Sequence, residues 1–184
     1  MQYDLRRADP RLKWLVTCLL ATFGIAYAFG AWMVGLYAGF SPKSIAATYA
    51  DAEHTMPMPP DSTMVTMHEV HLTDLAETEQ HTVDRALLVQ DTHVHVPMYG
   101  VIATILSAVV LGLALPRRAG LLLITLLFAA PWLDFAGMWL TKLVSPGFAI
   151  VTLAGGWAMG LGYTIVAAVA LWQMWGPPAK GVTT

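Results

Sequence analysis

Four long apolar stretches dominate this chain and leave it few folds to adopt. They cover residues 14–40, 97–115, 119–143 and 148–175. Each is close to the ~20 residues that a helix needs to cross the hydrocarbon core of a bilayer. Because backbone groups inside lipid must be paired within the protein, helices are the expected structure. We therefore predict an all-α, integral membrane four-helix up-down bundle with an extended outer loop that carries short helices.

The composition supports a protein in contact with membrane lipid. Of the 184 residues, only 12% are charged and 57% are hydrophobic. Soluble domains carry roughly 25% charged residues. No basic patch of the kind that binds nucleic acid interrupts the apolar stretches, so we expect no nucleic-acid partner.

The basic residues predict the orientation of the bundle. Seven of the ten precede the first apolar stretch, separate the second from the third, or follow the fourth: Arg6, Arg7, Arg11, Lys13, Arg117, Arg118 and Lys180. By the positive-inside rule these segments are cytoplasmic. Residues 1–13 and 176–184 are then cytoplasmic ends, and the acidic segment 41–96 is periplasmic. We expect a bacterial inner or intracytoplasmic membrane.

The long periplasmic segment concentrates the metal-ligating residues of the chain. It holds every histidine of the sequence and four methionines: His54, His68, His71, His81, His93 and His95, with Met56, Met58, Met64 and Met67. A fifth methionine, Met98, lies just beyond its end. Imidazoles and thioethers are ligands for soft or borderline metals and for haem iron. This distribution predicts a metal or redox site on the periplasmic face.

The most specific candidate for this metal site is the motif Thr92-His93-Val94-His95-Val96-Pro97. The residue before a proline favours extended backbone, and in an extended segment positions i and i+2 point to the same side. His93 and His95 would then chelate one ion. If the motif were helical, the two side chains would lie ~200° apart and only one would serve a given site.

Two further histidines, His68 and His71, are three residues apart, so on a helix they would share one face and could chelate a metal ion. Their sequence is not H-E-x-x-H, so a zinc-protease site is excluded. The methionines from Met56 to Met67 are typical either of copper-handling segments or of adaptable packing at a partner surface.

Asp134 lies inside the third apolar stretch. Carboxylates at membrane depth are costly and usually face a partner or a polar cavity. Asp134 lies about eight residues, or ~12 Å, from the periplasmic end of its helix, near the expected His93/His95 site. It would orient a ligand imidazole, relay protons, or bond a Trp, Tyr or Thr of the bundle.

Two shorter motifs predict local structure. Ser41-Pro42 resembles an N-cap followed by proline, which predicts a surface helix from Pro42 to about residue 53. Gly156 and Gly160 form a G-x-x-x-G pair, which predicts close helix packing in the bundle or against a partner.

Several chemistries are excluded. The single cysteine, Cys18, rules out an intramolecular disulfide, a multi-cysteine zinc or iron–sulfur site, and covalent c-type haem. The sequence holds no nucleophile–base pair, no phosphate-binding loop and no paired catalytic carboxylates. Nothing in it specifies an enzyme, and we expect none from this chain by itself.

The chain resembles a poorly characterised group of small bacterial four-helix inner-membrane proteins, over most of its length outside residues 53–90. The shared patterns are the surface helix, a T-H-x-H motif, and motifs in the last two spans: Ser41-Pro42 through Tyr49; Thr92-His93-Val94-His95; Leu133-Asp134-Phe135-Ala136; Trp139-Leu140; Ser145-Pro146-Gly147-Phe148-Ala149; and Met174-Trp175. The resemblance implies membrane electron-transfer surroundings, and the Met-Pro stretch is no part of it.

These features lead to one functional expectation and two alternatives. We expect an accessory subunit of a bacterial membrane redox complex, which holds haem b or copper at its periplasmic face. His93 and His95, with His68 or His71, would be the ligands, and Asp134 would support the site. The alternatives are a copper-binding or copper-delivery protein and a structural subunit that docks other subunits of a complex through its outer loop.

Overall fold

The computed structural model describes residues 4–50 and 83–177, and every regular element in these ranges is helical. The helices are α1 (Pro10–Tyr37), α2 (Pro42–Tyr49), α3 (Arg85–Leu111), α4 (Arg117–Leu143) and α5 (Ala149–Trp175). Two 3₁₀ turns, Leu5–Arg7 and Pro146–Phe148, precede α1 and α5. In the described part of the chain, all these helices except α2 are long and apolar enough to cross a membrane. The predicted all-α membrane bundle is confirmed.

Local sequence signals explain where the short helix α2 begins. Ser41 Oγ accepts from the Ser44 backbone N–H at 3.1 Å, and Ser44 Oγ accepts from the Ser41 N–H at 3.2 Å. This reciprocal capping box, with Pro42 at the first helical position, confirms the predicted helix start. Gly39 makes the bend from α1 because its φ of +70° is a conformation that glycine tolerates best.

Helix α3 corrects the prediction for the histidine motif. Residues 92–97 are helical, not extended, because Asp84 caps a helix that begins at Arg85 and continues through Pro97. Pro97 lacks an N–H and so leaves one helical bond unmade, to the carbonyl of His93. Apolar membrane helices tolerate this loss. The preference of the residue before proline is therefore outweighed by the rest of the helix.

The closest helix packing is between α4 and α5, and it depends on two glycines that the sequence analysis did not single out. A Cβ on Gly155 would run into the backbone of Asp134, and a Cβ on Gly137 would run into the backbone of Thr152. The predicted G-x-x-x-G pair does not act as a unit. Gly156 faces open space, while Gly160 lies against the Tyr27 hydroxyl of α1.

The two ends of the bundle differ in chemistry. At one end, Lys13 Nζ donates to the Met174 carbonyl (3.2 Å), and Trp175 Nε1 donates to Thr17 Oγ1 (3.0 Å). The start of α4, with Arg117 and Arg118, lies at this same end, which we call the basic end. At the other end, which we call the α2 end, α2 packs on α4, α5 and the turn Pro146–Phe148.

Candidate functional site

The predicted site residues that the structure describes gather at the α2 end of the bundle. His93 and His95 lie on α3, and Asp134 lies on α4. The other two predicted ligands, His68 and His71, lie outside the described residues. So do the remaining histidines and the methionines near them: His54, His81, Met56, Met58, Met64 and Met67.

His95 is held by the residue one turn before it. Its Nδ1 lies 2.8 Å from Asp91 Oδ1 and 2.9 Å from the Asp91 carbonyl oxygen. A carboxylate and a carbonyl oxygen only accept hydrogen bonds, so Nδ1 must carry the proton. In a neutral imidazole the lone pair is then on Nε2. The His95 side chain is 43% exposed, so groups outside this chain can reach the imidazole ring.

His93 does not share this environment. It is exposed on α3, and on a helix its side chain projects ~200° away from that of His95. The structure therefore brings only His95 into the cluster described here. The two-histidine chelate depended on an extended backbone, which α3 does not have.

Aromatic rings surround His95 on its inner side. The ring centroids of His95, Tyr99 and Phe135 form a triangle with sides of 6.0, 6.0 and 6.5 Å. Nearby, Trp139 Nε1 donates to Thr92 Oγ1 at 3.0 Å and so ties α4 to α3. The imidazole is consequently fixed both by its hydrogen bonds and by the aromatic wall.

Asp134 is buried beside this cluster. It is 8% exposed, and its carboxylate has no hydrogen bond to any described residue. Its backbone lies against Gly155, so α5 covers it closely. The predicted bond to a Trp, Tyr or Thr is therefore not formed within the described ranges. Among the described residues, the orienting bond to the imidazole is made by Asp91 and not by Asp134.

Tyr49, the last residue of α2, is a half-buried residue close enough to the cluster for Asp134 and Asp91 to affect its ionisation. Its burial, and then the negative charges of Asp134 and Asp91, raise the pKa of Tyr49 to about 12. The tyrosine hydroxyl therefore stays protonated at neutral pH. Tyr49, Asp91 and Tyr99 were not predicted as site residues from the sequence. The only signal for the last two is their i−4 and i+4 spacing from His95, which matters once the motif is known to be helical.

We expect the stability of the protein to fall in alkali because of Tyr49. The folded chain holds the Tyr49 proton more tightly than the unfolded chain, in which the pKa is about 10. The stabilisation is therefore complete below about pH 10 and is lost as the pH rises towards 12. Tyr49→Phe should remove one tyrosine with a raised pKa from the ultraviolet titration and flatten this loss of stability.

Tyr37→Phe is the control for that titration. Tyr37 is 68% exposed at the end of α1, so its removal should leave the Tyr49 ionisation in place. An identical alkaline titration for the wild type and Tyr49→Phe would contradict the assignment.

The cluster offers a metal one imidazole rather than a complete ligand set. Within residues 4–50 and 83–177, no group of three or more His, Cys, Asp or Glu side chains is arranged to hold a metal ion. An ion bound at His95 Nε2 would need further ligands from elsewhere.

Comparison with known proteins places the chain in a family but assigns no activity. No curated protein and no solved structure is significantly similar to it. A family model described as a transmembrane helical domain matches residues 39–181, which include α2 to α5 and the segment between α2 and α3. Since this match covers most of the sequence, the chain belongs to that family of transmembrane helical proteins.

Proposed function

We propose that the protein is an accessory subunit of a bacterial membrane redox complex and that it ligates a haem iron or another transition-metal ion through His95. The pair of hydrogen bonds from His95 Nδ1 to Asp91 carries the proposal. A metal-ligating histidine usually donates its second ring N–H to a carboxylate or a backbone carbonyl. His95 has both acceptors, and Nε2 is the ligand atom that remains.

The charges around His95 support the binding of a cation. Asp91 contacts the imidazole directly, and Asp134 lies near enough for both carboxylates to act on Tyr49. Buried negative charge is expensive without a counter-charge, and a bound cation would supply one. In this proposal Asp91 orients the ligand and Asp134 supports the site through its charge.

A site at His95 would be shared with other groups. His95 would supply one ligand, and a haem iron or another transition-metal ion held there would take any further ligand from another residue. His68, His71 or a partner subunit are the candidates for it. His93, on a different side of α3, is available to a partner, and in this proposal it is not a ligand of the same ion.

The location of the site is part of the proposal. The basic residues at one end of the bundle favour a cytoplasmic position for that end and for both chain termini. His95, at the α2 end, would then face the periplasm, in an inner or intracytoplasmic membrane.

The test is an optical spectrum with elemental analysis of the protein purified from native membranes with its partners. We expect a Soret band or a stoichiometric transition metal, lost in His95→Ala. His93→Ala is the matched control, since it removes an exposed imidazole two residues away and should keep the cofactor. Asp91→Asn should weaken binding by roughly 10- to 100-fold, the usual effect of removing such a support.

Three outcomes would replace the proposal. Copper without a Soret band, lost when methionines of the segment 56–67 are substituted and kept in His95→Ala, would establish the copper-delivery function. A colourless, metal-free preparation in an intact complex would leave a structural subunit. Equal loss of cofactor in His93→Ala and His95→Ala would contradict the helical site described above.

A further inference from the structure

We infer that a cavity between α1 and the other membrane-spanning helices, which adjoins the His95 cluster at Tyr99, binds a lipid-soluble, carbonyl-bearing ring of the quinone type. The cavity measures about 180 Å³, is partly open to the outside of the bundle, and is lined by residues of α1, α3, α4 and α5. Its walls are apolar except at three tyrosines: Tyr27, Tyr99 and Tyr163. A cavity of roughly 150 Å³ lined by apolar side chains accommodates a benzene ring, so this one has room for a single ring.

The tyrosine hydroxyls indicate which chemistry the ring must carry. Tyr163 donates its hydrogen bond to the Leu20 carbonyl. Tyr27 and Tyr99 have no hydrogen-bond partner among the described residues. A phenol that is left without an acceptor in apolar surroundings loses the hydrogen bond it would make in water. Two such donors around one cavity favour an apolar ligand that carries carbonyl oxygens, because these oxygens would accept the hydrogen bonds.

A repeated motif builds the part of the wall that Tyr27 and Tyr163 form. Gly24 and Tyr27 on α1 have the same spacing as Gly160 and Tyr163 on α5. The Tyr27 hydroxyl lies where a Cβ on Gly160 would be, and the Tyr163 hydroxyl lies where a Cβ on Gly24 would be. Each glycine thus makes room for the tyrosine of the other helix. The two rings lie nearly parallel, with an interplanar angle of 17° and centroids 6.1 Å apart.

The cavity also lies beside the proposed cofactor site. Tyr99 lines the cavity, and its ring is 6.0 Å from that of His95. Binding of the ring does not depend on a cofactor at His95, so the two proposals can fail separately.

The test is equilibrium binding of radiolabelled decylubiquinone to the full chain in nanodiscs of phosphatidylcholine. We expect saturable binding to one site per chain. Tyr27→Phe/Tyr99→Phe, which keeps the apolar wall and removes both donors, should weaken it by roughly tenfold. Ala103→Phe should abolish it, because Ala103 is a buried residue of the lining. Tyr37→Phe, an exposed tyrosine away from the cavity, is the matched control and should bind normally.

Two competitors and one variant complete the test. Dodecane and dodecyl acetate should not displace the quinone, and His95→Ala should bind it as the wild type does. Absence of saturable binding, or unchanged affinity in the double Tyr→Phe variant, would overturn the inference. Equal displacement by dodecyl acetate would assign the cavity to lipid esters, and equal displacement by dodecane would assign it to acyl chains. Both results would also overturn it.

Discussion

Gly155→Ala should open the α4–α5 interface and lower the free energy of unfolding by about 3 kcal/mol, at the upper end of the usual cost of overpacking a core. The added Cβ would lie 2.7 Å from the Cα of Asp134. The obstacle is backbone, which cannot rotate away as a side chain can. The two helices would therefore have to separate along the most extensive interface of the described bundle. Unfolding by sodium dodecyl sulfate in mixed micelles, followed by circular dichroism, measures the change.

Gly156→Ala is the matched control for that substitution. Gly156 is the neighbouring residue on the same helix, and a Cβ there would meet nothing within 4 Å. Since alanine is the better helix former, Gly156→Ala should leave stability unchanged or raise it by up to about 1 kcal/mol. Equal stabilities of the two variants would show that α4 and α5 do not approach as closely as described.

This pair of glycines shows how far the sequence predicts the fold. The number and type of the long helices follow from the length of the apolar stretches, because a bilayer fixes both. The face of α5 that packs on α4 does not follow from the apolar stretches. Gly155 and Gly156 are adjacent and chemically identical, and the G-x-x-x-G pattern selects Gly156. Only the rotation of α5 about its axis decides that Gly155 faces Asp134.

The candidate site was predictable to a similar extent. The concentration of histidine in the sequence between the first and second apolar stretches marks the region, and His95 and Asp134 both lie at the α2 end of the bundle. The partner of His95 was not predictable, since a local preference at Pro97 favours extended backbone. A long capped helix outweighs that preference, and it places Asp91 one turn before His95. Asp91 consequently takes the orienting position that the sequence analysis considered for Asp134.

Asp134→Asn should raise the stability of the protein and, if the proposed function is right, weaken cation binding at His95. The substitution keeps the shape of the side chain and removes a buried charge that no described residue neutralises. Charged groups at membrane depth cost several kcal/mol, part of which the amide avoids. We expect the free energy of unfolding to rise by about 1–2 kcal/mol, measured in the same micelle titration.

The electrostatic consequence of Asp134→Asn can be read independently at Tyr49. The negative charge of Asp134 is one of the causes that raise the pKa of Tyr49, so its removal should lower that pKa from about 12. The sign is fixed, because a carboxylate disfavours a second negative charge beside it. If the ultraviolet titration of Tyr49 did not move in Asp134→Asn, the two groups would not share the cluster.

The two effects of Asp134→Asn separate a functional charge from a structural one. Removal of a carboxylate that stabilises the fold should lower the free energy of unfolding. Removal of a carboxylate that serves a binding site should leave that free energy unchanged or raise it when no cation is bound. If cofactor or metal affinity falls in Asp134→Asn while stability rises, the charge serves the cation at His95. If stability falls, Asp134 has a partner outside residues 4–50 and 83–177, and its role is to hold the α2 end of the bundle together.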